Sequence, residues 1–335
     1  MTGVQTCALP IFYEDGWFKT ISLKDDEILF KERFALGRLL GATTYLMPDN
    51  RTLYIGDGKS GMLFMFTSDR SGNFESGRLY GAKIDKDGVS WIDLGHSTSS
   101  QIARFVTESE HRLSFEDMFE EESVGGNPCS NGFLRFEDRC LKAKDNVKKI
   151  TSRLEPTKYA LQEGVSSELT GLSGISYDLH RNRLFISINS SDMHPCGALF
   201  ALSTGGNKKD DKNEHINSGF IAFKIDTLLS KDELAQGCTN SGVANPGKIA
   251  FMNGSDSLII SKSGVNGLND VWSYDLFKKR SNKIKNLQKE SVIEQFLWSP
   301  RFGNYGYMFS AISYKKEDGK RGVKLGYTGA FPYLP

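Results

Sequence analysis

Short apolar runs separated by polar turns dominate the pattern of the chain. Residues Asn50–Phe66 (NRTLYIGDGKSGMLFMF) give an apolar run, a Gly/Asp/Ser turn and a second apolar run, which is the pattern of a β-hairpin. The same pattern returns in Asn182–Leu202 and in Ser255–Leu276. Aligning the copies makes three leucines equivalent, namely Leu53, Leu184 and Leu258. Three unequally spaced copies of one unit predict a β-propeller or a related repeat fold with loop insertions.

Two stretches between these repeats change to a helical pattern. In Thr98–Glu122, aromatic residues stand among acids, and Ser114 with Asp117 fits a loose capping box. In Ala143–Gly164 the apolar residues have helical spacing, and Thr227–Leu234 predicts a short helix or turn. Helical insertions favour a propeller over a β-sandwich, whose strands are spaced more evenly. We therefore predict an all-β propeller, six-bladed in the full protein, with helical loop insertions.

Composition narrows the class of protein without naming a function. The chain has 335 residues, of which 39% are hydrophobic and 25% charged, so it can bury a substantial core. A formal net charge of +1 gives no electrostatic reason to expect nucleic acid or an anionic membrane as partner. No apolar run reaches the length of a membrane span. The mixed-charge run Lys208–Glu214 predicts a solvated loop.

The first eleven residues are predicted to be a sequencing-adapter artefact. Residues 1–11 (MTGVQTCALPI) match the in-frame translation of a common sequencing-adapter oligonucleotide. We therefore leave them out of the fold prediction and expect one propeller domain over residues 12–335, incomplete at its amino terminus. Any export signal would then lie upstream of Phe12.

Leaving Cys7 aside, four cysteines remain, and none forms a CxxC pair, which argues against a zinc site. Cys129 and Cys140 bracket one polar loop, and Cys196 and Cys238 flank the mixed-charge run. Two disulfides, 129–140 and 196–238, would place the protein in the periplasm or outside the cell. Four buried thiols in a cytoplasmic protein are the alternative.

Several segments in a fixed order resemble the PhoX-type alkaline phosphatases and their relatives. These segments are Gly37–Ile84 (GRLLGATTYLMPDNRTLYIGDGKSGMLFMFTSDRSGNFESGRLYGAKI), Leu154–Ile188, Ala244–Phe251, Leu258–Leu276 and Gly326–Pro332. The resemblance implies a propeller with a metal-rich centre. It also implies an exported phosphomonoesterase that uses calcium and iron held by carboxylates and one cysteine. Clustered cations of this kind polarise phosphoryl oxygens and stabilise the charge of an in-line displacement.

The chain departs from this family pattern where the metal ligands are expected. It has Gly41-Ala42 for a His-Glu pair, Asp57-Gly58 for paired aspartates and Leu172-Ser173-Gly174 for Met-Glu-Gly. It also has Asn245-Pro246-Gly247-Lys248 for Asn-Pro-Asp-Asn, and Ser261-Lys262-Ser263 for Gly-Glu-Asp. A lysine at a ligand position opposes a bound cation. These replacements predict that the calcium and iron of the family are absent or reduced in this copy.

Six polar residues are ligand-binding candidates, namely Arg38, Asp57, Asn245, Lys248, Lys262 and Asp270, and all but the two lysines have a structural alternative. Asp57 is the surviving carboxylate for a metal, or else an ordinary turn Asp. Arg38 could bind phosphate in a bidentate manner, or form a surface or interblade pair. Asn245 could face the central channel or cap a loop. Asp270 matches the aspartate of an Asn-Asp pair in the family, or else it bonds to the backbone of its own turn. Lys248 would add positive charge to the centre.

Two functions of different classes follow. The first is a metal-dependent phosphatase acting on a small phosphorylated molecule, as the resemblance implies. The second is a non-catalytic propeller that binds an anionic ligand or a protein partner through an altered centre. That centre would be lined by Lys262, Ser263, Ser173 and Lys248. The missing acids favour the second function.

Overall fold

The computed structural model describes residues 3–6, 13, 15–25, 27–86, 88–123, 128–229, 243–253, 255–262, 270–287, 291–302, 305–315 and 321–332. Strands dominate these residues, and every sheet among them is antiparallel. Contacts divide the chain into two compact units, which are Met1–Leu169 with Gly205–Ile221, and Thr170–Thr204 with Ala222–Pro335. We call these unit 1 and unit 2. The single domain over residues 12–335 stays a prediction.

Unit 1 contains three sheets and four short helices in its described part. The strands are β1 (Gly3–Thr6), β2 (Phe18–Lys24), β3 (Glu27–Glu32), β4 (Thr43–Leu46), β5 (Thr52–Asp57), β6 (Met62–Arg70), β7 (Asn73–Ile84), β8 (Val89–Thr98), β9 (Phe119–Ser123), β10 (Leu134–Phe136) and β11 (Arg139–Ala143). The helices are α1 (Ser99–Thr107), α2 (Phe115–Met118), α3 (Lys148–Leu154) and α4 (Pro156–Gln162). The sheets have the orders β1-β2-β3, β4-β5-β6-β7-β8 and β10-β11-β9.

The remaining strands build three meander sheets, most of whose residues belong to unit 2. The strands are β12 (Leu172–Asp178), β13 (Arg183–Ile188), β14 (Ala198–Gly205), β15 (Ile221–Leu229), β16 (Pro246–Met252), β17 (Ser257–Lys262), β18 (Asp270–Asp275), β19 (Arg280–Asn286), β20 (Val292–Phe302), β21 (Tyr305–Lys315) and β22 (Arg321–Pro332). Their orders are β12-β13-β14-β15, β16-β17-β18-β19 and β20-β21-β22. Within unit 2 the first strands β12, β16 and β20 are neighbours. Sequential meander sheets are the building units of a propeller. The all-β fold class is confirmed, and the blade number stays a prediction.

The three sequence repeats are confirmed as one structural unit. Leu53, Leu184 and Leu258 each lie on the second strand of a sheet and pair with a residue of the third strand. The turn before each of these strands contains a residue with positive φ, namely Asn50 (53°), Asn182 (52°) and Asp256 (49°). Asn and Asp tolerate this left-handed conformation better than other non-glycine residues. The backbone carbonyl oxygens of these three residues each accept a hydrogen bond from an N–H near the end of the third strand. The donors are Gly72, Thr204 and Leu276, over 2.7, 2.8 and 3.0 Å.

The helical insertions are confirmed, with corrected boundaries. Ser114 and Asp117 form the predicted capping box of α2, and α1 has a second one at Thr98. Residues from Phe119 onward form strand β9, because β11 offers them a full antiparallel partner. The predicted helix over Ala143–Gly164 is split into α3 and α4 at Pro156, since proline starts a helix well but disrupts its interior.

Two further predictions concern short segments of the chain. Residues Thr227–Leu229 of the predicted short helix are the end of β15, and the rest of that segment lies outside the described residues. The amino-terminal segment left out of the prediction contributes β1, whose residues Gly3–Thr6 pair with β2. The expectation that residues 1–11 derive from a sequencing adapter stays a prediction.

The mixed-charge run Lys208–Glu214 is a loop with mostly exposed residues, as predicted, and it is also bonded to a strand. It covers part of β8, where the N–H of Asp211 donates to the carbonyl of Trp91 over 3.0 Å. The N–H of Asp93 donates to Asp211 Oδ1 over 2.7 Å, and Lys212 Nζ is 2.9 Å from Asp93 Oδ2. The run therefore supplies hydrogen-bond partners to the backbone of β8, the last strand of its sheet, which an edge strand needs. The ion pair between Lys212 and Asp93 adds to these bonds.

A buried arginine anchors the core of unit 1. Arg153 has no solvent exposure, and its guanidinium donates to Ala35 O, Gly95 O and Ser152 Oγ, each over 2.7 Å. Burial lowers the pKa of Arg153, and the charge of Asp93 acts in the opposite direction. The bound carbonyl groups supply the acceptors that a buried guanidinium requires.

Candidate functional site

Asp57 is committed to its own turn. It ends β5 and is 7% exposed. Its Oδ1 accepts from the backbone N–H of Lys59 over 3.1 Å, and its Oδ2 accepts from Ser60 Oγ over 2.7 Å. Both carboxylate oxygens therefore stabilise the hairpin, which supports the turn role over the metal-ligand role.

Arg38 is likewise engaged by neighbouring groups of unit 1. Its Nε donates to the carbonyl of Asp15 over 2.8 Å, and its guanidinium lies 5.2 Å from the centre of the Tyr13 ring. Its backbone N–H donates to Arg153 O over 2.8 Å. These contacts support a packing role rather than a phosphate-binding one.

The other candidates lie in unit 2, where the structure brings them to one end of neighbouring sheets. Ser173 starts β12 with Leu172, Lys248 is near the start of β16, Lys262 ends β17 and Asp270 begins β18. Lys262 pairs with Asp270 on one side and with Pro246 on the other. Ser263 lies outside the described residues. The strand bounds place Ser173, Lys248 and Lys262 at corresponding ends of their strands, and the shared centre stays a prediction.

Serine hydroxyls and glycines allow the first strands to approach closely at this end. Ser173 Oγ donates to Gly247 O over 3.2 Å, and Ser187 Oγ donates to the same carbonyl over 2.5 Å. A Cβ on Gly247 would lie 2.6 Å from Ser261 Oγ, and one on Gly174 would lie 2.8 Å from Gly247 O. Side chains are therefore excluded at these two buried glycines.

Lys248 is a half-buried cation. Its backbone N–H donates to Ser261 Oγ over 2.7 Å. Burial lowers the pKa of its ammonium, although Glu294 acts in the opposite direction. Among the described residues Lys248 makes no ion pair with a carboxylate. A cation held in this way is unusual, because buried charges are normally paired.

Lys262 is the second cation of this sheet end. Its ammonium lies 5.6 Å from the centre of the Trp272 ring. Burial lowers its pKa, opposed by the charge of Asp270. Asp270 itself is 2.9 Å from Lys283 Nζ. In the described part of the chain the buried Nε1 of Trp272 has no hydrogen-bond acceptor, so a donor is available beside the cation.

Asn245 caps a loop in unit 2. It has a positive φ of 55°, and its Oδ1 accepts from the backbone N–H of Ser190 over 2.6 Å. Its own N–H donates to the carbonyl of Cys196 over 2.8 Å. These bonds favour the loop-capping alternative for Asn245.

The disulfide Cys129–Cys140 is confirmed, with a Cα–Cα distance of 5.6 Å. Cys196 is buried and disulfide-bonded. Cys238 lies outside the described residues, so the 196–238 pairing stays a prediction. No helix in the described part of the chain is long and apolar enough to span a membrane.

The described residues do not fit the calcium and iron centre that the resemblance implies. Among these residues, Glu122, Cys129 and Cys140 are the group whose ligand atoms lie close enough together to share a metal ion. The two cysteines are bonded to each other, and a disulfide sulfur is not a thiolate ligand. Asp57 is held by its turn, and Lys262 brings positive charge to a predicted ligand position. We derive no reaction step through these metals.

Unit 1 contains a cavity that was not predicted from the sequence. Its volume is about 630 Å³, and the turn after β5, helices α2 and α4 and the β10–β11 hairpin contribute to its wall. It is lined by Asp57, Lys59, Ser60, Met62, Phe115, Phe136, Glu137, Asp138, Arg139, Leu141, Thr157, Lys158, Leu161 and Ser167. The one signal in the sequence was the cysteine pair, because it brackets Phe136–Arg139.

Comparisons with known proteins give no family. No family model and no curated protein matches the chain. The chain is similar in structure to the periplasmic gluconolactonase PpgL of Pseudomonas aeruginosa, with 9% identity and a TM-score of 0.30, covering 95% of this chain and 92% of that one. It is also similar to Sqt1 of Saccharomyces cerevisiae, with 12% identity and a TM-score of 0.33, covering 96% and 80%. Similarities at this level assign neither a family nor an activity.

Proposed function

We propose that the protein is a non-catalytic, propeller-type binding protein for a small phosphorylated or otherwise anionic ligand. The ligand would bind to lysine ammonium groups at the unit 2 sheet end, in place of the metals of a PhoX-like scaffold. The observation that carries this proposal is Lys248, a half-buried cation with no ion-paired carboxylate among the described residues. A bound anion would supply its missing counter-charge.

The neighbourhood supports an anion over a metal. Lys262 adds a second positive charge, and Trp272 Nε1 adds a buried donor without an acceptor in the described residues. Asp270 also pairs with Lys283, over 2.9 Å. Donors and cations together bind phosphoryl oxygens, whereas calcium and iron need carboxylate or other electron-pair donors.

The location we propose is the periplasm or the outside of the cell. The Cys129–Cys140 disulfide supports it, since disulfides persist in oxidising compartments. A phosphatase remains the second candidate, and it rests on the family resemblance of the sequence alone.

The test is calorimetric titration with inorganic phosphate and with phenyl phosphate, in the presence of a chelator. We expect binding in wild type and at least a tenfold weaker Kd in Lys248→Met and in Lys262→Met. Lys278→Met is the matched control, because that lysine is exposed in the turn of the same sheet and should leave Kd unchanged. Binding should weaken as pH rises, because the lowered pKa of each lysine brings loss of its proton closer to neutral pH.

Two results would contradict the proposal. One is an unchanged Kd in both lysine variants. The other is turnover of phenyl phosphate that appears with calcium and iron and disappears with the chelator, which would establish the phosphatase instead.

A further inference from the structure

We propose that the 630 Å³ cavity of unit 1 is a second binding site, for a small amphipathic organic anion. This site is independent of the lysines of unit 2. Its volume lies within the range of about 300–1,000 Å³ that is typical of pockets for small organic ligands. The cavity draws its walls from distant parts of unit 1, so the folded unit positions them.

The inner wall is apolar and largely fixed. Met62 is 2% exposed and Leu141 is 4% exposed, so both belong to the core. Phe115, Phe136 and Leu161 are half-buried beside them. An aromatic or aliphatic ligand body would cover this surface and remove it from water.

Lys158 supplies the deepest positive charge. Its side chain is 24% exposed, and its ammonium lies 5.0 Å from the Phe136 ring centre and 5.7 Å from that of Phe115. It pairs with Glu155 over 2.6 Å. An ammonium carries three donors, so this pair leaves further donors for an acid group of the ligand.

Three carboxylates, those of Asp57, Glu137 and Asp138, also line the cavity and would repel an anion. Both oxygens of Asp57 already accept hydrogen bonds within its turn. Glu137 and Asp138 are exposed at the tip of the β10–β11 hairpin, where water screens their charge. Lys59 and Arg139, also exposed, offset them. The ammonium of Lys158, which keeps donors beyond its pair with Glu155, is therefore the group that would meet an anion with an apolar body.

The Cys129–Cys140 disulfide holds one wall of the cavity. Phe136, Glu137, Asp138 and Arg139 all lie between the two bonded cysteines. Glu137 has a positive φ of 54°, a conformation that costs free energy in a non-glycine residue and persists only where the surrounding structure holds it. The disulfide restricts the freedom of this hairpin, so its loss should weaken ligand binding.

The probe is 8-anilinonaphthalene-1-sulfonate, an aromatic sulfonate, followed by its fluorescence and by calorimetry. We expect one saturable site in wild type. Phe136→Ala and Lys158→Gln should each raise Kd at least tenfold, and Cys129→Ser with Cys140→Ser at least threefold. Phe277→Ala is the control, because that phenylalanine is 88% exposed and would account for nonspecific surface binding.

Urea unfolding of each variant accompanies the titration. Unchanged Kd in a cooperatively folded Phe136→Ala overturns the proposal, whatever Lys158→Gln and the cysteine variant do. A Kd for the probe that changes in Lys248→Met would also overturn it, because that result would place the probe in unit 2. Phosphate binding should be unaffected by Phe136→Ala, so this site and the proposed phosphate site fail separately.

Discussion

The two units treat buried charge in opposite ways. In unit 1, Arg153 is surrounded by carbonyl oxygens, and Asp57 accepts bonds from its own turn. In unit 2, Lys248 has no ion-paired carboxylate among the described residues, and Lys262 rests beside an aromatic ring. Burying a charge without a compensating partner costs free energy. The bonds of unit 1 offset this cost within the protein, whereas the charge of Lys248 in unit 2 could be offset by a bound anion.

The repeat makes this comparison direct. Counting from the equivalent leucines, Asp57, Ile188 and Lys262 end the second strands β5, β13 and β17. One strand position thus carries an acid, an apolar residue and a base. The register of the sheet is kept in all three, which shows that this position is free to vary in chemistry while the fold is maintained.

The largest expected effect tests the compensated side of the comparison. Arg153→Met should destabilise the protein by about 3–5 kcal/mol, because buried carbonyl oxygens that lose their donor cost about 1–3 kcal/mol each. The midpoint of urea unfolding measures this. Arg104→Met, at a residue whose side chain is 58% exposed, is the control and should change stability by less than about 0.5 kcal/mol. Equal effects of the two substitutions would show that Arg153 does not hold the core.

A smaller effect is expected at Asp57. Asp57→Ala should destabilise by about 1–2 kcal/mol through loss of two turn hydrogen bonds, and Asp57→Asn by less, since an amide oxygen still accepts. Thermal unfolding with and without calcium measures both this loss and any metal binding. We expect no calcium dependence. A rise of Tm with calcium that vanishes in Asp57→Asn would assign Asp57 as a metal ligand after all.

The smallest effect concerns pH and Lys248. In the unfolded chain this lysine keeps its proton up to its ordinary pKa of 10.5, whereas burial makes the folded protein release it earlier. Between these two pKa values the unfolded state binds more protons than the folded state. Lys248 therefore destabilises the folded protein fully below the folded pKa, and this destabilisation shrinks as pH rises. Lys248→Met should be about 1 kcal/mol more stable than wild type near pH 7 and should lose this advantage toward pH 10.5. A constant difference across the pH series, as for Lys278→Met, would contradict the buried cation.

Local patterns predicted the strands well and the insertions less well. The repeats around Leu53, Leu184 and Leu258 were predicted because the apolar runs and the polar turn of a hairpin are adjacent in the sequence. The strand β9 and the bonds of the run Lys208–Glu214 to β8 were missed, because both depend on partners far away in sequence. Helical or charged composition cannot reveal such a partner.

The candidate site was predicted in part. The lysines at positions 248 and 262 are visible in the chain itself, and the family resemblance predicted the loss of acidic residues and a shared centre for the two lysines. The half-burial of Lys248 and the donor of Trp272 come from packing of side chains between strands. Neither leaves a signal in a single sequence.

The sequence by itself determined the repeated hairpins, their left-handed Asn and Asp turns and the Cys129–Cys140 pair, because these depend on residues close together in the chain. Only the tertiary structure decided that Asp57 serves its own turn and that Lys248 lacks an ion pair in the described residues. It alone also formed the cavity around Lys158, whose walls come from segments about a hundred residues apart. The reason is physical: burial and charge compensation are set by neighbours in space, which a linear pattern does not specify.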